Sequence, residues 1–220
     1  MEPRAEAVRI PFGKLELDAD RFLPRPGRGI VLFAHGSGSG RRSPRNRFVA
    51  SHLHSHGIGT LLVDLLTEAE ARIDEVSAEY RFDIPLLQDR LIAATDWVLA
   101  RAESKGMPVG YFGASTGGAV AMIAAAQRPE AVGAIVLRGA RTDLGDSAAP
   151  SIRCPTLILV GGNDPPIRYV NTETLRRLRC EKELVVIPGA SHLFEETGAL
   201  DAVAERTTAW FDRHLPAFPR

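Results

Sequence analysis

The sequence predicts an α/β fold: a mostly parallel sheet with helices on both faces, preceded by an antiparallel hairpin. Three observations carry that expectation. Short continuous apolar runs recur at Ile30-Val31-Leu32-Phe33-Ala34, Thr60-Leu61-Leu62-Val63, Ala134-Ile135-Val136-Leu137, Thr156-Leu157-Ile158-Leu159-Val160 and Leu184-Val185-Val186-Ile187. Strands buried on both faces read this way. Between the runs lie segments whose apolar residues step by three and four, the helical period. Several runs end in turns bearing Gly, Ser, Asp or His, where an open parallel sheet gathers its ligands.

In chain order, Val8, Ile10 and Phe12 alternate with other residues, Gly13 turns the chain, and Leu15 and Leu17 resume the alternation. That is a hairpin with one buried face, in which Pro11 suits a sheet edge. The first long strand runs straight into His35-Gly36-Ser37-Gly38-Ser39-Gly40. Ser43 as N-cap, Pro44 as first helical residue and Gly57 as stop delimit a helix with Phe48 and Leu53 as its apolar contacts. The next strand is expected over 58–66. Residues 67–81 are acidic and weakly patterned, and read as an excursion over the surface. Asp83 then caps a long helix carrying Ile84, Leu87, Leu91, Ala94 and Val98.

A short apolar strand, Val109-Gly110-Tyr111-Phe112, runs into Gly113-Ala114-Ser115-Thr116-Gly117 and a helix that Pro129 stops. Beyond the strand at 156–160, a helix through Val170, Leu175 and Leu178 precedes the last strand. The closing helix carries Leu200, Val203, Thr207, Trp210 and His214 on one face. No repeat, low-complexity tract or linker divides the chain, so residues 1–220 are expected to form a single domain.

The totals narrow the function classes. At 220 residues the chain can bury a sizeable core, and 45% hydrophobic with 25% charged residues is an ordinary globular balance. Lysine plus arginine (27) equals aspartate plus glutamate (27), so no global field favours nucleic acid or an anionic membrane as partner. Residues 1–6 lack the apolar core of a secretory leader, and the apolar runs fall far short of a membrane span. Cys154 and Cys180, the only cysteines, are expected to be free and mostly buried in a reduced cytoplasmic setting; their pairing is the alternative.

Strand, Gly113-x-Ser115-x-Gly117 and helix together form the pattern of a nucleophile elbow, a sharp turn that exposes a serine hydroxyl. A Gly/Ser loop between two buried elements is the plainer alternative. Asp164 in Gly161-Gly162-Asn163-Asp164 and His192 in Pro188-Gly189-Ala190-Ser191-His192 each follow a predicted buried strand, as Ser115 does. Serine is a weak nucleophile at neutral pH and needs a base within hydrogen-bond reach. His192 supplies it, and Asp164 would fix the imidazole's tautomer. Asp164 also precedes Pro165-Pro166, as an N-cap would. Asp143 is the rival acid, and Glu195 and Glu196 read as solvated. The backbone amides of Ser37 and Thr116 are the candidate oxyanion donors.

Three further features invite other readings. The glycine-rich loop could cradle a nucleotide phosphate, but Arg41 stands where the dinucleotide fingerprint has its third glycine, and no Gly-Lys-Ser/Thr ending is present. Arg41, Arg42 and Arg45 sit near the expected pocket mouth, where Arg41 and Arg42 are candidate contacts for an anionic substrate group; the alternative is a solvated face. His52 and His56 lie one helical turn apart, with His54 between, but no carboxylate pattern accompanies them, so no metal is expected.

With Ser115, Asp164 and His192 placed in that order, nearly the whole chain resembles the α/β-hydrolase superfamily. The His35-Gly36-Ser37-Gly38-Ser39-Gly40 loop and the Gly161-Gly162-Asn163-Asp164 turn are similar to those of its dienelactone-hydrolase-like group. The resemblance implies a metal- and cofactor-independent hydrolase working through an acyl-serine on a small ester, lactone or thioester. True dienelactone hydrolases use a cysteine at the elbow, and Ser115 here points instead to a general carboxylesterase-type activity. The segment 139–152, where many relatives insert a lid, is too short for a cap domain, so an open pocket is expected. Some similar sequences are joined to phosphoribosyltransferase-like domains, of which this sequence shows no sign. A peptidase or thioesterase with the same three residues, or a non-catalytic binding module, are the alternatives. The chain is expected to act as a monomer or homodimer.

Overall fold

The computed structural model describes residues 5–24, 27–101 and 103–215. The expectation of no leader over residues 1–6 falls mostly on residues 1–4, which lie outside the described residues. The N-terminal hairpin forms β1 (Glu6–Phe12) and β2 (Leu15–Phe22), and β3 (Ile30–Ala34) and β4 (Gly59–Val63) follow, separated by helix α1 (Pro44–Ser55). Next come helices α2 (Glu68–Ser77) and α3 (Ile84–Leu99), then β5 (Val109–Ala114), α4 (Thr116–Gln127) and β6 (Val132–Arg138). Two short 3-10 turns, Thr142–Leu144 and Asp146–Ser151, fill the place of a lid. The chain ends in β7 (Thr156–Gly161), α5 (Pro165–Arg177), β8 (Lys182–Ile187) and α6 (Ala199–His214).

These strands make one eight-stranded sheet in the order β1-β2-β4-β3-β5-β6-β7-β8. Only β1–β2 and β2–β4 pair antiparallel; every pairing from β4 to β8 is parallel. Pro11, which has no N–H for a ladder, lies on the edge strand β1. The period of two sorts β3 between the sheet faces. Ile30, Leu32 and Ala34 join a core with residues of α3, α4 and α5, while Val31 and Phe33 join one with residues of α1 and α6. Burying a side chain such as Leu32 contributes about 1.5–3 kcal/mol.

Three local readings change. Residues 67–81 are not a plain surface excursion: they hold α2, whose Thr67 and Glu70 form a reciprocal capping box. Arg90, buried on α3, clamps Glu70 through two hydrogen bonds of 2.7 and 2.6 Å. The strand expected over 58–66 ends at Val63. The last strand, expected to be buried, is the edge strand β8, of whose residues only Ile187 is buried. On α5, Val170 and Leu175 pack against the core as expected, and Ile167, Asn171 and Thr174 are buried beside them. Asn171 tolerates burial because its amide donates to the Ala140 and Ile167 carbonyls at 2.7 and 2.8 Å. Cys154 is buried, Cys180 partly so, and both are free.

Candidate active site

The turn between β5 and α4 is strained and crowded. Ser115 adopts φ 51° and ψ −122°, a left-handed conformation that a non-glycine residue holds only when its surroundings impose it. Its amide donates to the Arg138 carbonyl at 3.1 Å, and its carbonyl accepts from the Arg141 amide at 2.9 Å. A Cβ on Gly117 would lie 2.1 Å from the Ala34 carbonyl oxygen, and one on Gly113 would lie 2.6 Å from the Gly117 carbonyl oxygen. Both positions therefore demand glycine.

Ser115, Asp164 and His192 come together at the C-terminal ends of β5, β7 and β8. His192 Nδ1 lies 2.7 Å from Asp164 Oδ2, and His192 Nε2 lies 3.3 Å from Ser115 Oγ. Asp164 occupies the N-cap position of α5, yet its side chain makes no cap hydrogen bond. Pro165 and Pro166 carry no N–H to cap, which leaves the carboxylate for His192. The Asp164 side chain is 12% exposed and that of His192 38%, so the contact is partly buried. Asp143, the rival acid, is held by Arg141 through hydrogen bonds of 2.8 to 3.2 Å. Those bonds keep its carboxyl below the usual carboxylate range.

The glycine-rich loop after β3 backs directly onto the serine: a Cβ on Gly36 would lie 3.0 Å from Ser115 Cβ. His35 is a structural pin. Its Nε2 accepts the Leu65 amide at 3.0 Å, so Nδ1 carries the proton and donates to the Gly36 carbonyl at 2.9 Å. Burial holds this imidazole below its ordinary pKa, in the neutral form that both bonds require.

One expectation needs correction, and a second residue gains partners. The Ser37 amide is not a free oxyanion donor, because it donates to Thr116 Oγ1 at 2.8 Å. The Thr116 amide, at the first position of α4, has no intrahelical acceptor. Arg41 lines the cavity beside this loop, but its charge is already paired. Its guanidinium pairs with Asp64 and stands 3.4 Å from Asp20 and 3.6 Å from Asp18, and its amide donates to Asp64 at 2.5 Å. Three carboxylates on β2 and the β4 exit thus consume that charge to tie the loop down. Arg42 is exposed, with no ion pair among the described residues, and lines the same cavity of about 390 Å³, along with Gly36, Ser37, Leu66, Leu87, Thr116 and the carboxylates of Asp64, Glu68 and Glu75.

Arg45 pairs with Glu195 at 2.8 Å, and Glu196 accepts the Ser191 amide at 3.0 Å, so neither glutamate is merely solvated. The three histidines of α1 and its C-cap turn to separate partners: His52 to the Phe48 carbonyl, His54 to Thr60 and His56 to Asp212. One buried side chain beside the site escaped the sequence reading. Arg138 ends an apolar strand, and nothing in its local pattern marks it as buried.

Comparison with known proteins places this arrangement. The model of the dienelactone hydrolase family matches residues 49–219. The crystal structure of dienelactone hydrolase from Anabaena variabilis is 50% identical with a TM-score of 0.95, covering 97% of this chain and 99% of that one. Est1E from Butyrivibrio proteoclasticus shares the fold at a TM-score of 0.81 and 15% identity, over 95% of this chain and 98% of that one. A Mycobacterium tuberculosis protein with the provisional name phosphoribosyl transferase is 44% identical over 212 residues, 96% of this chain and 47% of that protein. The chain therefore spans about half the length of the curated relatives it matches first.

Proposed function

The chain belongs to the dienelactone hydrolase family, and on that premise we propose that it is a serine hydrolase cleaving small carboxylic esters through an acyl-serine intermediate. The observation that carries the reading is the unbroken line from Asp164 through His192 to Ser115, at 2.7 and 3.3 Å. His192 Nε2 takes the hydroxyl proton as Ser115 Oγ attacks the ester carbonyl. The imidazolium so formed is stabilised at Nδ1–H by Asp164, and its proton passes to the leaving alcohol. Water, activated by the same histidine, then releases the acid.

The Thr116 amide is the donor best left free for the tetrahedral oxyanion. The Ser37 amide joins it only if the Thr116 hydroxyl yields its hydrogen bond. Each such donor typically contributes ~2.7–4 kcal/mol to the transition state. The cavity beside Thr116, about 390 Å³, suits a small acyl or alcohol group; Arg42 at its wall is the candidate contact for an anionic substituent, in a lining that also holds Asp18, Asp64, Glu68, Asp74 and Glu75.

The transferase name borne by the M. tuberculosis relatives describes proteins about twice as long, and it is not carried onto this chain. Among the described residues no helix is long and apolar enough to cross a membrane. The free thiols of Cys154 and Cys180 favour a cytoplasmic setting.

A short-chain 4-nitrophenyl ester and a fluorophosphonate probe test the proposal. Hydrolysis and labelling are expected to vanish in Ser115→Ala. Asp164→Asn should lower kcat by roughly 10⁴-fold, and Asp143→Asn should leave it unchanged. A Ser115→Ala chain as active as its parent sinks the reading.

A further inference from the structure

Arg138 closes β6 immediately beside Ser115, and it is only 6% exposed. Its Nε and Nη1 are buried with no hydrogen-bond partner, and no carboxylate pairs with it among the described residues. Burial pulls its pKa down to about 10 and the charge of nearby Arg45 acts the same way, so it still carries its charge at neutral pH. Arg45, on the first turn of α1, likewise has a buried Nε without a partner; its Nη1 donates to Glu195 at 2.8 Å. The Phe194 ring lies 5.7 Å from the Arg138 guanidinium, and Phe194 holds a left-handed φ of 57°. A ring face attracts the cation but accepts none of its in-plane hydrogens.

The position adds to the chemistry. A Cβ on Gly139, the residue after Arg138, would lie 3.3 Å from the His192 carbonyl oxygen and 3.3 Å from the Phe194 ring. The guanidinium thus belongs to the packing behind the His192 loop, on the sheet face away from the 390 Å³ cavity, which it does not line. Donors taken out of water and left unfilled are costly. What satisfies a guanidinium fork best is a planar or tetrahedral group presenting two oxygens.

We propose that Arg138 and Arg45 form a binding site for a small oxyanion group, carboxylate or phosphate, behind the His192 loop. Glu195, 62% exposed at its side chain, is the intramolecular carboxylate that competes for Arg45 at the mouth. The group is either a free ion or an acid substituent of the substrate.

Calorimetric titration with inorganic phosphate and with acetate, on the native chain and on Ser115→Ala, reads binding without turnover. At least one anion is expected to bind both proteins. Arg138→Met should weaken it tenfold or more, and Arg45→Gln should weaken it too. Glu195→Gln should tighten it several-fold by removing the competitor. Arg153→Gln, in an exposed pair with Glu130, should change nothing. Arg138→Lys keeps the charge without the fork and should also bind poorly; it carries the comparison if Arg138→Met fails to fold.

The second arm compares 4-nitrophenyl acetate with the carboxylate-bearing 4-nitrophenyl hemisuccinate, and it rests on the ester-hydrolase reading. If the ligand is a substrate group, Arg138→Met raises KM for the hemisuccinate alone. If it is a free ion, both KM values hold while phosphate or acetate binding is lost. Absence of anion binding together with no selective KM change overturns the proposal, as does binding undiminished in both Arg138 variants. A protein that binds phosphate but cleaves no ester would overturn only the catalytic reading.

Discussion

Arg90 and Arg138 are the same residue in nearly the same degree of burial, 1% and 6% exposed, and each faces a phenyl ring, Phe12 and Phe194 respectively. Their hydrogen bonding separates them. Arg90 gives two hydrogen bonds to the Glu70 carboxylate and one of 2.7 Å to the Leu65 carbonyl, closing the base of α2 onto α3 and the β4 exit. Arg138 makes no comparable contact and sits beside Ser115. A buried charge paired with a carboxylate is a staple, even though the Arg90 Nε itself has no partner. A buried charge without a carboxylate is held in place by the surrounding fold, and such groups gather near functional sites.

The largest expected effect is at the staple. Arg90→Met leaves Glu70 without its buried partner and should cost about 3–5 kcal/mol of unfolding free energy, read by urea denaturation. Arg138→Met, at the other arginine, removes unfilled donors and should leave stability unchanged or raise it by about 1–3 kcal/mol. Equal losses at both positions would break the comparison.

The smallest effect is a pH slope. Burial alone would raise the Glu70 pKa, but hydrogen bonds from Arg90 and Thr67 and the Arg90 charge override it and set the pKa at about 2. A carboxyl depressed from 4.5 contributes stability that is fully present above pH 4.5 and is lost as pH falls through 2. Glu70→Gln should therefore flatten the fall of Tm between pH 4.5 and 2, whereas Arg138→Met should leave that slope intact.

Much of this molecule was legible in the linear chain. The runs at β3, β7 and β8 announced strands, and the caps at Ser43 and Asp83 announced helices, because both signals are local and periodic. The helix α2 was legible too, in Thr67-Glu68-Ala69-Glu70, a capping box that its acidic, weakly patterned context obscured. Ser115, Asp164 and His192 could be placed because each follows an apolar strand run, although the β8 run before His192 forms a partly exposed edge strand, and parallel strands bring their C-terminal ends to one edge. The pairings of Arg41 were not legible. Its three acidic partners come from β2 and the β4 exit, 21 to 23 residues away, and nothing local foretells them.

By itself the sequence determined the order of the strands and of the helices other than α2, the tight turn at Ser115 and the placement of Ser115, Asp164 and His192 at strand ends, since propensity, period and turn chemistry act over a few residues. Tertiary structure alone decided which donors stay free. It bound the Ser37 amide to the Thr116 hydroxyl, spent Arg41 on three carboxylates, clamped Arg90 with Glu70 and left Arg138 unpaired behind the His192 loop. Hydrogen-bond satisfaction depends on distance in space, and across a parallel sheet that distance is set by strand order rather than by position in the chain.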